Sequence, residues 1–142
     1  MSKLQSPSSQ RTEFRPCLRD MEVLLVEDNS EVSLITVEYL TELGHSAVAV
    51  PAAEFALERL AERSFDAVLT DVSLPGMSGL DLAKQLSQQY PKLPVVIASG
   101  YGAHKLEFGL GQHRGNVFFL PKPYDLPMLE KTLSDAAAVS DG

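Results

Sequence analysis

The chain has 142 residues, 44% of them hydrophobic and 22% charged, which is one domain's length at near-average globular composition and excludes wholesale disorder. A single cysteine, Cys17, excludes an internal disulfide framework and a multi-cysteine zinc site, and no apolar run approaches the ~20 residues of a membrane span. Of 12 basic and 19 acidic residues, four and two fall in residues 1–20 (+2), leaving eight and seventeen (−9) for 21–142, a balance that disfavours nucleic acid, whose phosphates need clustered Lys and Arg.

Residues 1–20 (MSKLQSPSSQRTEFRPCLRD) have neither helical nor strand period and read as a flexible tail or linker, with no signal-peptide stretch. The character changes at Glu22. Val23-Leu24-Leu25-Val26 is apolar at every position, the pattern of a strand covered on both faces. Glu27, Asp28, Asn29 and Ser30 follow at once. Val32, Ile35, Val37, Tyr39, Leu40 and Leu43 mark a first helix, stopped by Gly44. Residues 46–50 predict a second strand, and Phe55, Leu57 and Leu60 mark a second helix. Residues 67–70 predict a third strand. Ser78-Gly79-Leu80-Asp81 then has the form of a capping box, opening a helix marked by Leu80, Leu82, Ala83 and Leu86.

Residues 95–98 and 117–120 predict the last two strands. Between them lie Gly100, Gly102, Gly109, Gly111 and Gly115; each glycine inside a helix costs about 1 kcal/mol, so this crossover is expected to be short or ragged. Leu126, Met128, Leu129 and Leu133 mark a final helix behind Asp125 as N-cap. The domain is expected over 21–137, with a C-terminal tail over 138–142, in a soluble protein of the reducing cytoplasm with no membrane insertion.

Five strands alternating with helices predict an α/β fold: a doubly wound five-stranded parallel sheet with helices on both faces. Right-handed crossovers favour the order 2-1-3-4-5, with ligands at the carboxyl ends of strands one and three, where the winding reverses. That edge collects Glu27 and Asp28, Asp71, Ser99 and Lys122 from four different strands. One acid after a strand is an ordinary cap, but carboxylates packed together repel unless a cation intervenes. Asp28 and Asp71, with Glu27 through water, offer the hard oxygens that Mg²⁺ prefers. Lys122 adds a compact positive charge, and Ser99 a donor hydroxyl. A carboxylate can attack phosphorus to give an aspartyl phosphate, and such transfer depends mainly on positioning and charge neutralisation.

The motifs LLVEDN, AVLTDVSLPGMSGLDL, PVVIASGY and FFLPKPYD carry a family resemblance. From about Glu22 to Ala137 the chain resembles response-regulator receiver domains, both the chemotaxis-type (CheY-like) single-domain receivers with their flavodoxin-like fold and the receivers of hybrid sensor kinases. The resemblance implies that Asp71 is the phosphoacceptor of a two-component phosphorelay and that the domain switches conformation without being a turnover enzyme. It also implies that Asp28 and Asp71 bind Mg²⁺ directly, that Glu27 is a further metal acid, and that Ser73 contributes its backbone carbonyl. Ser99 is implied as the hydroxyl that senses the phosphoryl group, Lys122 as its lysine contact, and Lys122-Pro123 as a cis peptide. The implied partners are a sensor histidine kinase or histidine phosphotransfer protein as phosphodonor, and a downstream protein partner.

Phe119 stands at the aromatic switch position and brings no hydroxyl. Ser73 and Tyr101 occupy positions that tune phosphoryl lifetime in the family, and the bulk of Tyr101 is expected to hinder attack by water. The ASGY run and residues 1–20 lean towards the hybrid-kinase type.

Competing motifs are weaker. Gly109-Leu-Gly111-Gln-His-Arg-Gly115 has the wrong spacing and place for a dinucleotide fingerprint. Asp71-Val72-Ser73 suggests an aspartyl-phosphate phosphatase of the haloacid-dehalogenase type, but Ser73 stands where that chemistry needs a second Asp as general acid. A flavodoxin-like FMN binder shares the architecture, yet the acidic first loop would repel a phosphate. His45, His104 and His113 have no metal-like pairing and are expected as solvated residues.

Overall fold

Short, mainly apolar runs fold here into the strands of one sheet whose central strands are buried and whose edge strand at residues 46–50 is largely not. The structure, a computed structural model, describes residues 20–100 and 116–141. Its elements are β1 (Glu22–Val26), α1 (Ser30–Glu42), β2 (Ser46–Val50), α2 (Ala53–Glu62), β3 (Ala67–Asp71), α3 (Gly79–Gln89), β4 (Val95–Ser99), β5 (Val117–Pro121) and α4 (Leu126–Asp141). The five strands are parallel in the expected order β2-β1-β3-β4-β5. No helix among the described residues is long and apolar enough to cross a membrane.

Alternation along the strands divides the core in two. Leu24, Val26, Val68 and Ile97 meet Ala56, Leu60, Leu82 and Leu86 of α2 and α3 on one face. Val23, Leu25, Leu69 and Val96 meet Leu40 of α1 and Leu129 and Leu133 of α4 on the other. β3 and β4 are buried at every position, so they are held from both sides. Truncating a core leucine of this kind to Ala costs about 2–5 kcal/mol.

The helix ends follow their sequence signals. Asn29 Oδ1 accepts from the amides of Glu31 and Val32 at 3.0 and 3.1 Å, capping α1. Gly44 takes φ 95°, and its amide donates to the Thr41 carbonyl at 3.0 Å. Ser78 Oγ accepts from the Asp81 amide at 3.0 Å, and Asp125 Oδ1 from the Met128 amide at 3.0 Å.

Several expectations need correction. His45 is buried, 4% exposed, instead of solvated. Its Nδ1 accepts from the Met21 amide at 3.0 Å, which ties the approach to β1 to the start of β2. Phe55 is 44% exposed, because α2 packs through Ala53, Ala56 and Leu60. Ile35 is half exposed, and the inward stripe of α1 runs through Thr36, Leu40 and Leu43 instead. The last helix continues through Asp141, beyond the boundary at 137, as the strong helix propensity of alanine at 136–138 favours. Tyr101, His104, His113, the glycine-rich crossover after Gly100 and the N-terminal tail before Asp20 lie outside the described residues.

Candidate functional site

The carboxyl edge of the sheet is stiffened because ladder-like bonds run past the strand ends. The Glu27 amide donates to the Val50 carbonyl at 3.0 Å, Val72 to Ala98 at 3.1 Å, and Lys122 to Ser99 at 2.9 Å. Asp71 is the last residue of β3 and Ser99 the last of β4. Both are buried, 8% and 2% exposed. Their side chains are therefore set by strands instead of by loose loops.

Glu27, Asp28 and Asp71 each bring a carboxylate oxygen within 4.8 Å of the others. Asp28 is exposed and the other two are buried. Lys122 Nζ stands 2.7 Å from Asp71 Oδ1 and 3.9 Å from Glu27 Oε1. The Asn29 amide donates to Glu27 Oε2 at 3.1 Å, so one residue holds an acid of the cluster and caps α1. Burial pushes the Glu27 carboxyl above its usual range; the Asn29 amide works against this and the Asp71 charge adds to it. Burial alone would lower the Lys122 ammonium, but the hydrogen bond and charge of Asp71, helped by Glu27, raise it.

Three carboxylates against one ammonium leave a surplus of negative charge in a half-buried recess. An all-oxygen donor set of this kind fits a hard divalent cation such as Mg²⁺, which takes one or two carboxylates and keeps waters for the rest. Of the remaining sequence candidates, Ser73 is exposed on the loop beyond Asp71. Phe119 is in register with Ile97, two residues before Ser99, and packs against the α2–α3 core on that face. Lys122-Pro123 is cis, as the resemblance implied.

Three structural neighbours of the recess escape sequence reasoning as members of the site. Gly79 at the start of α3 lies so close to the Asp71 carbonyl that a Cβ there would collide with it. Its amide donates to the Val72 carbonyl at 3.0 Å. The Tyr124 hydroxyl, just beyond Lys122, meets Thr36 Oγ1 at 3.0 Å. The glycine-aspartate spacing holds the only local signal among these, since Thr36 and Tyr124 are separated by most of the domain.

Sheet order, recess and charge pattern together define a receiver architecture, and the chain belongs to the response regulator receiver domain family, whose model matches residues 23–134. It is 38% identical over 120 residues to the sensor protein TorS of Escherichia coli K12, covering 82% of this chain and 13% of TorS. It is 37% identical over 124 residues to the two-component response regulator PhoP of Pseudomonas aeruginosa, covering 86% of this chain and 54% of PhoP. The chain thus spans about half or less of these relatives' lengths. Among solved structures, the signal receiver domain of an HD domain-containing protein from Pseudomonas fluorescens Pf-5 superposes with a TM-score of 0.76 at 28% identity, covering 87% of this chain and 91% of that one.

Proposed function

We propose that this domain takes a phosphoryl group from a phosphohistidine, on a sensor histidine kinase or a histidine phosphotransfer protein, onto Asp71. An Asp71 carboxylate oxygen attacks phosphorus, the phosphorus–nitrogen bond breaks, and the imidazole leaves with the electron pair. Asp28 and Asp71, with Glu27 through water and the Ser73 carbonyl, are the groups that hold Mg²⁺. The cation supplies charge neutralisation for the phosphoryl oxygens. Lys122 contributes the second positive charge to those oxygens, a role supported by its ammonium standing 2.7 Å from Asp71 Oδ1. Ser99, buried at the end of β4, then donates to the phosphoryl group and stabilises one of two conformations, with Phe119 moving on the same face. Tyr101 slows the return to carboxylate by hindering water. The domain acts in the cytoplasm, on a downstream protein partner.

The observation that carries this reading is Asp71: a buried strand-end carboxylate held at 2.7 Å by the only ammonium in the recess among the described residues. Treatment with acetyl phosphate, with and without Mg²⁺, followed by peptide mapping in a mass spectrometer, tests it. One phosphoryl group on the peptide containing Asp71, dependent on Mg²⁺, is expected. Labelling elsewhere, or labelling indifferent to Mg²⁺, overturns it.

A further inference from the structure

The loop that carries Lys122 is fixed at three points. At its start the Lys122 amide donates to the Ser99 carbonyl at 2.9 Å, and at its end Asp125 caps α4 through the Met128 amide at 3.0 Å. Between these anchors the Tyr124 hydroxyl reaches across to Thr36 on α1 at 3.0 Å. The direction of that bond follows from the proton inventory. Thr36 Oγ1 gives its one proton to the Val32 carbonyl at 2.8 Å, so the phenol must be the donor. The result is a directed chain, Tyr124 to Thr36 to Val32, whose successive bonds polarise one another.

Thr36 is buried, 2% exposed, at the floor of the contact between α1 and the loop. Tyr124 and Lys122 also wall a groove of about 450 Å³ together with Val32, Ile35 and Tyr39. The Tyr124 ring also packs against the core cluster that holds Leu40 and Leu129, and the hydrogen bond fixes where the loop stands along α1 within that contact.

We propose that Tyr124 and Thr36 form a tether that positions Lys122, holding the loop so that the ammonium reaches the Asp71 carboxylate and the phosphoryl group received there. Tyr124 is a positioning residue: it acts through Lys122, two residues away, and touches no reacting atom. The inference rests on Asp71 being the phosphoacceptor.

The test uses the full chain, acetyl phosphate and saturating Mg²⁺, with labelling rates read by mass spectrometry. Tyr124→Phe and Thr36→Val each slow labelling by about three- to tenfold, the factor that one ordinary hydrogen bond represents. The double variant is no slower than the slower single, because both remove the same bond. Thr36→Ser, which keeps the hydroxyl, labels at the wild-type rate. A second readout needs no phosphodonor: the ¹H–¹⁵N signal of the Lys122 ammonium, visible when the group is held, is expected in the wild type and in Thr36→Ser and lost in Tyr124→Phe. Wild-type rates in both singles, multiplying losses in the double variant, or an ammonium signal unchanged by Tyr124→Phe overturns the tether. If the wild type takes up no phosphoryl group, the Asp71 reading fails on its own and the ammonium signal alone decides on the tether.

Discussion

The two ends of the sheet treat charge in opposite ways. At the amino end, Glu22 pairs through its carboxylate with Arg63, and its amide donates to Asp66 Oδ2 at 2.7 Å. Arg63 also stands 4.6 Å over the Phe65 ring. These charges have partners, half of each side chain is open to water, and such exposed pairs contribute at most about 1 kcal/mol. At the carboxyl end, three carboxylates share one ammonium, and Glu27 and Asp71 are only 8% exposed. Matched charges at an open edge are structural; a surplus held under partial burial is the arrangement that a cation would relieve. The same sheet thus has a settled end and a poised end.

The comparison breaks most completely at Asp71, the proposed phosphoacceptor. Asp71→Asn abolishes labelling by acetyl phosphate, read as intact mass, whereas Arg63→Ala at the settled end leaves labelling unchanged. Asp28→Ala weakens Mg²⁺ binding by at least about tenfold, the loss that follows from disturbing even an outer partner of a ligand; a Mg²⁺ titration followed by NMR shifts of the recess checks this. Gly79→Ala forces a methyl group into the Asp71 carbonyl and lowers stability by about 1–3 kcal/mol in urea unfolding.

The smallest effect is the pH dependence of Lys122. Its folded-state affinity for a proton is raised above the ordinary 10.5, so the associated stabilisation is complete below that value and is lost as pH rises through the raised one. The loss stays under about 1 kcal/mol because the side chain is 32% exposed. Lys122→Met flattens that part of the stability curve.

The central strands were legible because burial on both faces demands apolar residues at every position, and the site edge was legible because parallel topology sends every strand's carboxyl end to one place. Helix faces were harder to read. In α2 the closest approach to the sheet is made by alanines, which carry little hydrophobic signal, while Phe55 carries much and lies outside. His45 was expected in solvent because it has no metal-like pairing, yet its partner is the Met21 amide, 24 residues away. The Thr36–Tyr124 bond spans 88 residues, and no local pattern encodes a meeting of that range. Local rules locate elements; pairings that fix a side chain's last ångström depend on tertiary closure.

Asn29 carries a consequence for how far the recess tolerates change. Its amide secures Glu27 while its side-chain oxygen starts α1. A replacement lacking an acceptor loses the cap of α1 but keeps the backbone amide that holds Glu27, whereas proline removes both at once. In a saturation library this exposed position would favour Asp or Ser, disfavour aliphatic residues by about 0.5–2 kcal/mol, and tolerate proline least.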